Sequence, residues 1–318
     1  MDAPVEVGND DEAERRAWTV AEAEHGLRLD KLLAMHASEF SRSHLQGLLA
    51  KGLASLDGAV CTQASRRVRA GQQVAVELLP TAQALAFRPE PVALDIVHED
   101  EHLLVINKPA GLVVHPGAGN WSGTLLNGLL HRDPRAALLP RAGIVHRLDK
   151  GTSGLMVVGR SLQAVTELAR AIAAREVGRE YLALVHGAMV AAEQRLEQPI
   201  GRDPGSKLRM AVVAGGRPSR TDVARLASDG RFTAVRCRLH TGRTHQIRVH
   251  LSHAGHPLVS DPLYGGSPAL GLERPALHAA RLSLQHPASG LQLVWMAMPP
   301  PDLLKAWSQV TGQAPMLA

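Results

Sequence analysis

The stretch His146-Arg147-Leu148-Asp149-Lys150-Gly151-Thr152-Ser153-Gly154-Leu155-Met156-Val157-Val158 decides how the rest of the chain is read. One carboxylate, Asp149, stands between two fixed cations, Arg147 and Lys150. A Gly-Thr-Ser-Gly turn follows, and the apolar run over residues 155–158 reads as a buried strand. A turn anchored by a buried strand can hold one side chain rigidly at a cleft. Flanking cations favour the ionised carboxylate, which makes Asp149 a candidate nucleophile or base. An arbitrary Arg-Asp-Lys triplet is usually a solvated surface turn. Here the company it keeps over thirteen residues sets it apart.

Two further segments carry chemistry. Arg179-Glu180-Tyr181-Leu182-Ala183-Leu184-Val185-His186-Gly187 has strand alternation and holds one of only two tyrosines in the chain. Thr241-Gly242-Arg243-Thr244-His245-Gln246-Ile247-Arg248-Val249-His250-Leu251 reads as a helix capped by Thr244, with Ile247 and Leu251 facing the core. Arg248 has no obvious partner on that helix. Upstream, Asn107-Lys108-Pro109-Ala110-Gly111-Leu112-Val113-Val114-His115-Pro116 reads as strand, turn and strand. Downstream, Ser260-Asp261-Pro262-Leu263-Tyr264-Gly265 is a turn.

These motifs together resemble the RluA family of pseudouridine synthases. That family carries His-Arg-Leu-Asp with a Thr/Ser-Gly turn, a tyrosine strand matched here by Arg-Glu-Tyr-Leu-Ala, a Gly-Arg-Ser/Thr-His-Gln-Leu/Ile-Arg helix and a Gly/Ser-Asp-x-x-Tyr-Gly turn. Gly151 departs from the pattern, since an acidic residue is common there. The resemblance spans about residues 27–300. It implies isomerisation of uridine to pseudouridine in RNA, with Asp149 as the catalytic carboxylate and Arg248 its ion-pair partner. Tyr181 would stack on the detached base, and Arg147 would fill the gap left by the flipped nucleotide. No cofactor and no metal are implied. Attack at C1′ and proton removal from C2′ both stay open as routes.

The other residues agree with an RNA partner. The chain has 318 residues and a formal net charge of +5, with a pI of about 9.6. The first 24 residues hold eight acidic side chains against Arg15 and Arg16 alone, so the remainder is more basic than the total. Residues 1–16 read as a disordered acidic tail. Residues 17–79 read as helix, helix and hairpin. Arg28-Leu29-Asp30-Lys31-Leu32-Leu33, the Ser41 cap, the Asp57-Gly58 turn and alternating Val74, Val76 and Leu78 carry that reading. This unit resembles the S4 RNA-binding domain, with Arg28, Lys31, Arg42, Lys51, Arg66, Arg67 and Arg69 as phosphate contacts. Residues 80–91 read as a linker, and 92–318 as the catalytic domain. The expected fold is α+β: a mixed or antiparallel-sheet catalytic domain with a small N-terminal α/β domain.

Other chemistries fit poorly. Gly117-Ala118-Gly119-Asn120-Trp121-Ser122-Gly123 lacks the Gly-Lys-Ser/Thr of a P-loop, and its third glycine is one residue late for a dinucleotide fingerprint. Gly151-Thr152-Ser153-Gly154 is not a nucleophile elbow, because Leu155 breaks Gly-x-Ser-x-Gly. His245, His250, His253 and His256 lack the spacing and acid of a zinc helix. Cys61 and Cys237 match no metal or redox motif. No signal peptide or membrane span is expected, so the chain reads as cytoplasmic and monomeric. The segments around residues 114–120, 124–127 and 140–145 most resemble the D-type branch, which implies the large-subunit ribosomal RNA stem-loop that bridges to the small subunit. Another ribosomal site, a tRNA target or a non-catalytic RNA-binding assembly factor remain the alternatives.

Overall fold

Residues 14–81, 85–206 and 208–317 are described by the computed structural model, and the chain divides into two units between Ala86 and Phe87. In the first unit, strand β1 (Glu14–Thr19) precedes helices α1 (Leu29–His36) and α2 (Arg42–Ala50). Strands β2 (Ala54–Leu56), β3 (Ala59–Val60) and β4 (Gln73–Leu78) follow. The sheet order is β1-β4-β2-β3, and every pairing is antiparallel. Ser41 caps α2 by accepting from the His44 N–H. Asp57 and Gly58 both take positive φ in the β2–β3 turn, the backbone that a two-residue hairpin demands. Leu29, Leu32 and Leu33 of α1 pack with Leu45, Leu48 and Leu49 of α2 against Val74, Val76 and Leu78.

The last three residues of the acidic tail expected over residues 1–16 are strand instead. Glu14, Arg15 and Arg16 belong to β1, opposite Leu78, Glu77 and Val76; residues 1–13 lie outside the described set. Alternating polar residues hid this strand, since half of it faces solvent. The linker expected over residues 80–91 also shortens. The Asn127 side chain donates to the Arg88 carbonyl, and Glu90 accepts from the Gly123 N–H, so this end is already packed.

The second unit is built on one sheet of nine strands. Its strands are β5 (Ile96–Glu99), β6 (Leu103–Lys108), β7 (Ser153–Gly159), β8 (Gly178–His186), β9 (Glu193–Leu196), β12 (Thr221–Ser228), β13 (Phe232–Leu239), β14 (Leu277–Gln285) and β15 (Gln292–Met296). The order is β5-β6-β7-β14-β8-β13-β12-β9, with β15 also on β14. Only the β7–β14 pairing is parallel. A separate hairpin joins β10 (Ile200–Arg202) to β11 (Met210–Val212).

Every residue of β7 is buried, which explains its unbroken apolar run. Met156 and Val158 face a core shared with α3 (Leu125–Arg132) and α5 (Gln246–His253). Leu155 and Val157 face the opposite side, where Leu168 of α4 (Leu162–Ala173) packs. In β8, Tyr181, Ala183 and Val185 point toward the α3–α5 side. Leu182 and Leu184 point toward α6 (Pro301–Thr311). The side chain of Tyr181 and the helix carrying Arg248 therefore share one face of the sheet.

Gly154 joins the turn after Asp149 to this sheet. Its φ is +116°, and a Cβ there would run into the backbone of Ala279 on β14. Gly154→Ala should therefore lower the unfolding free energy by about 3 kcal/mol, measured by urea titration of the whole chain. An unchanged midpoint would contradict this close approach.

Candidate active site

Asp149 ends a loop that is fastened at several points. Thr152 N–H donates to the Asp149 carbonyl at 3.0 Å, and Gly111 N–H donates to the Lys150 carbonyl at 2.7 Å. The His146 ring accepts from Val157 N–H through Nε2. Burial, with Arg179 adding to it, pushes His146 down to about 3, so the ring is a neutral acceptor. Beneath the loop lies Lys108, only 1% exposed. Its Nζ donates to the carbonyls of Pro109 at 2.8 Å, Leu112 at 2.9 Å and Lys150 at 3.5 Å. Burial pushes this amine down to about 8, against the pull of the Asp149 charge.

The flanking cations do not pair with Asp149. Lys150 donates to the Asn120 side chain, and Arg147 is exposed. The partners come from α5 and its N-terminal edge instead. Arg248 Nη1 donates to Asp149 Oδ2 at 3.3 Å, and His245 Nε2 stands 3.8 Å from Oδ1. Arg248 makes its shorter bonds elsewhere: Nε and Nη2 form a fork on the fully buried carboxylate of Asp261, at 2.7 and 2.8 Å. Burial works against the Arg248 charge, but Asp261 and then Asp149 outweigh it and raise its pKa above the ordinary value. The guanidinium also lies 4.8 Å from the ring centre of Tyr264.

Asp149, His245 and Arg248 line a cavity of about 840 Å³, together with Arg147, Arg179 and Tyr181. Tyr181 is buried. Burial, with the nearby Asp149 charge adding to it, raises its hydroxyl pKa, so it stays protonated. Cys237 on the neighbouring strand β13 pairs with Tyr181, and burial pushes its thiol up to about 12, so it offers no thiolate nucleophile. The sequence-derived set of Asp149, Arg147, Tyr181 and Arg248 thus converges on one cavity. Thr244 does not cap α5; His245 occupies that position with φ +55°, and the Gln246 side chain accepts from Arg243 N–H.

Sequence reasoning missed Lys108, His245, Asp261 and Tyr264 as members of the site. A usable signal existed for Asp261: an arginine among the apolar positions of a short helix needs a buried counter-ion. Of the histidines weighed as metal ligands, His245, His250 and His256 serve as hydrogen-bond partners. His250 bonds Thr221 and the Gln198 carbonyl, and His256 bonds the His186 carbonyl. Among the described residues, no group of three or more His, Cys, Asp or Glu could hold a metal ion.

In the first unit, the cations expected to contact RNA divide into two sets. Arg28 and Arg42 both bond Asp30, which is fully buried and also accepts from Gln46. Arg28 and then burial dominate Asp30, and with Gln46 and Arg42 the balance falls well below the usual carboxylate range. Arg67 donates to the Gly26 carbonyl. Lys31, Lys51, Arg66 and Arg69 are exposed.

The loop before β7, strand β8 and helix α5 thus bring a carboxylate, a tyrosine and a buried arginine into one cavity lined by further arginines. The sequence model of the RNA pseudouridylate synthase family matches residues 102–253. A protein of Nitrosomonas europaea named ribosomal large subunit pseudouridine synthase D is 45% identical, over 93% of this chain and 88% of its own. A protein of the same name from Escherichia coli K12 is 44% identical, over 90% and 91%. The solved structure of human RNA pseudouridylate synthase domain containing 1 has a TM-score of 0.56 at 28% identity, covering 72% of this chain and 92% of that one. The chain belongs to the RNA pseudouridylate synthase family.

Lys108 gives the site a testable pH dependence. Its ammonium is present below about pH 8 and is lost above it, and the bonds that fasten the loop from below go with it. Turnover should decline as the pH rises through that value, and Lys108→Met should be slow at all pH values with no such decline. A wild-type rate in that variant would show that the ammonium does not support the loop.

Proposed function

We propose that the chain converts uridine to pseudouridine in large-subunit ribosomal RNA, with Asp149 as the carboxylate that acts on the ribose. The observation that carries this is Asp149 itself: a partly exposed carboxylate, bracketed by Arg248 and His245, in the same cavity as Tyr181. The RNA target rests on the names of relatives that are 44–47% identical over most of this chain. A ribosomal substrate also suits the cytoplasm. No described helix is long and apolar enough to cross a membrane.

The chemistry asks for little beyond these side chains. The N1–C1′ bond breaks, the uracil turns, and a C5–C1′ bond forms. C5 then loses its proton and N1 gains one, so the product is an isomer of the substrate. Uracil departs as a delocalised anion, which lowers the need for a second carboxyl as acid. Asp149 serves by attack at C1′ or by removing the C2′ proton, and both routes need one aligned, charged oxygen. The uridine must leave its stack to reach that oxygen. Exposed Arg147 fills the space it vacates, and the Tyr181 ring supports the detached base. The N-terminal unit adds affinity through phosphate contacts by Arg28, Lys31, Arg42, Lys51, Arg66 and Arg67. Asp30 pre-orients two of these arginines.

The test is tritium release from uridine-labelled large-subunit RNA, with pseudouridine mapping of the product. The wild-type chain should release tritium and yield pseudouridine at discrete positions. Asp149→Asn should bind the RNA and release none. Normal turnover in that variant would remove Asp149 from its role, and no pseudouridine from the wild-type chain would remove the reaction.

A further inference from the structure

We propose that Asp261 and Tyr264 are the positioning residues of this site: Asp261 holds Arg248 on one oxygen of Asp149, and Tyr264 holds His245 facing the other. The inference rests on the reading of Asp149 given above and adds the parts that align it. Both residues come from a single turn, residues 260–265, whose 3-10 segment is Pro262–Tyr264.

The Asp261 half follows from bond lengths. A fork fixes both the position and the plane of a guanidinium. Arg248 gives its Nε/Nη2 edge to Asp261 and meets Asp149 through one Nη1 contact at 3.3 Å. Asp261 is fully buried and Arg248 nearly so, which fixes the guanidinium plane before substrate arrives. Asp261 also balances the Arg248 charge. The three groups together carry one net negative charge, so Asp149 is aligned by a cation that does not neutralise it. A lone arginine beside Asp149 would align the carboxylate and quench its reactivity together.

The Tyr264 half follows from donor and acceptor roles. Met210 N–H donates to the Tyr264 hydroxyl oxygen at 3.0 Å. The hydroxyl proton is then directed to His245 Nδ1, 2.7 Å away. An Nδ1 that accepts leaves the proton of the neutral ring on Nε2, and Nε2 is the atom that faces Asp149 Oδ1 at 3.8 Å. Burial lowers the His245 pKa despite the Asp149 charge, with Arg248 adding to the effect, which keeps the ring neutral. The left-handed backbone of His245 is strained for a residue with a side chain, and the Tyr264 bond helps to hold it there. The Tyr264 ring meanwhile covers the Arg248 guanidinium.

The experiment is single-turnover pseudouridine formation on one RNA substrate, with RNA affinity measured in parallel. Tyr264→Phe keeps the ring over Arg248 and removes only the hydroxyl. It should slow the bound-state reaction about tenfold while RNA affinity stays within about twofold of wild type. In a His245→Ala background the same change should have no further effect, because the hydroxyl acts through that ring. Asp261→Asn should slow the reaction about 100-fold, again without weakening RNA binding. Should Asp261→Asn not fold, the Tyr264–His245 cycle decides. Wild-type rates in Tyr264→Phe, or losses that add in the double variant, overturn the proposal while Asp149→Asn remains inactive. Turnover by Asp149→Asn would instead overturn the reading beneath it.

Discussion

A buried positive charge on a short helix governs the arrangement of this site. Arg248 sits among Ile247, Val249 and Leu251 on α5, where an unpaired guanidinium would be strongly unfavourable. Asp261 answers it with a two-bond fork. Once that pair is locked, the remaining guanidinium edge has a fixed direction, and Asp149 lies along it. The fold does not first build a part-exposed carboxylate and then find it a partner. It builds a compensated cation, and the carboxylate meets it across the cavity.

The sheet supplies the other half of this alignment. Asp149 is carried on the loop before β7, and β7 is buried along its whole length with Gly154 against the Ala279 backbone. Tyr181 comes from β8, which pairs with β14 on the side away from β7. Three neighbouring strands thus fix the loop and the aromatic ring, while α5 on the same face brings Arg248 and His245. Lys108 at the end of β6 ties the loop from beneath through three carbonyls. A site placed by strands and a packed helix can keep its geometry while a large RNA settles over it.

Much of this was legible in the residues. The run 155–158 announced a doubly buried strand, Asp57-Gly58 a tight hairpin, and Leu29, Leu32 and Leu33 a helix face. Asp149, Tyr181 and Arg248 stood out through their surroundings and the family resemblance. What escaped were interactions between distant segments. Asp261 lies thirteen residues from Arg248; a buried arginine calls for a counter-ion, but no local pattern says which acid supplies it. Of the charges beside Asp149 in sequence, Lys150 bonds Asn120, and Arg147 stands exposed at the same cavity; the ion pair comes from α5 instead. Strand β1 was invisible as such, since its half-exposed face reads like a continuation of the acidic tail.

The most direct test is a structure of the chain bound to its RNA. With the target uridine present, its base should be out of the helical stack beside Tyr181, and C1′ and C2′ should lie within about 3.5 Å of an Asp149 oxygen. The Arg248 fork on Asp261 should be unchanged. A target ribose held elsewhere in the cavity, with Asp149 turned from it and Arg248 released from Asp261, would contradict the account.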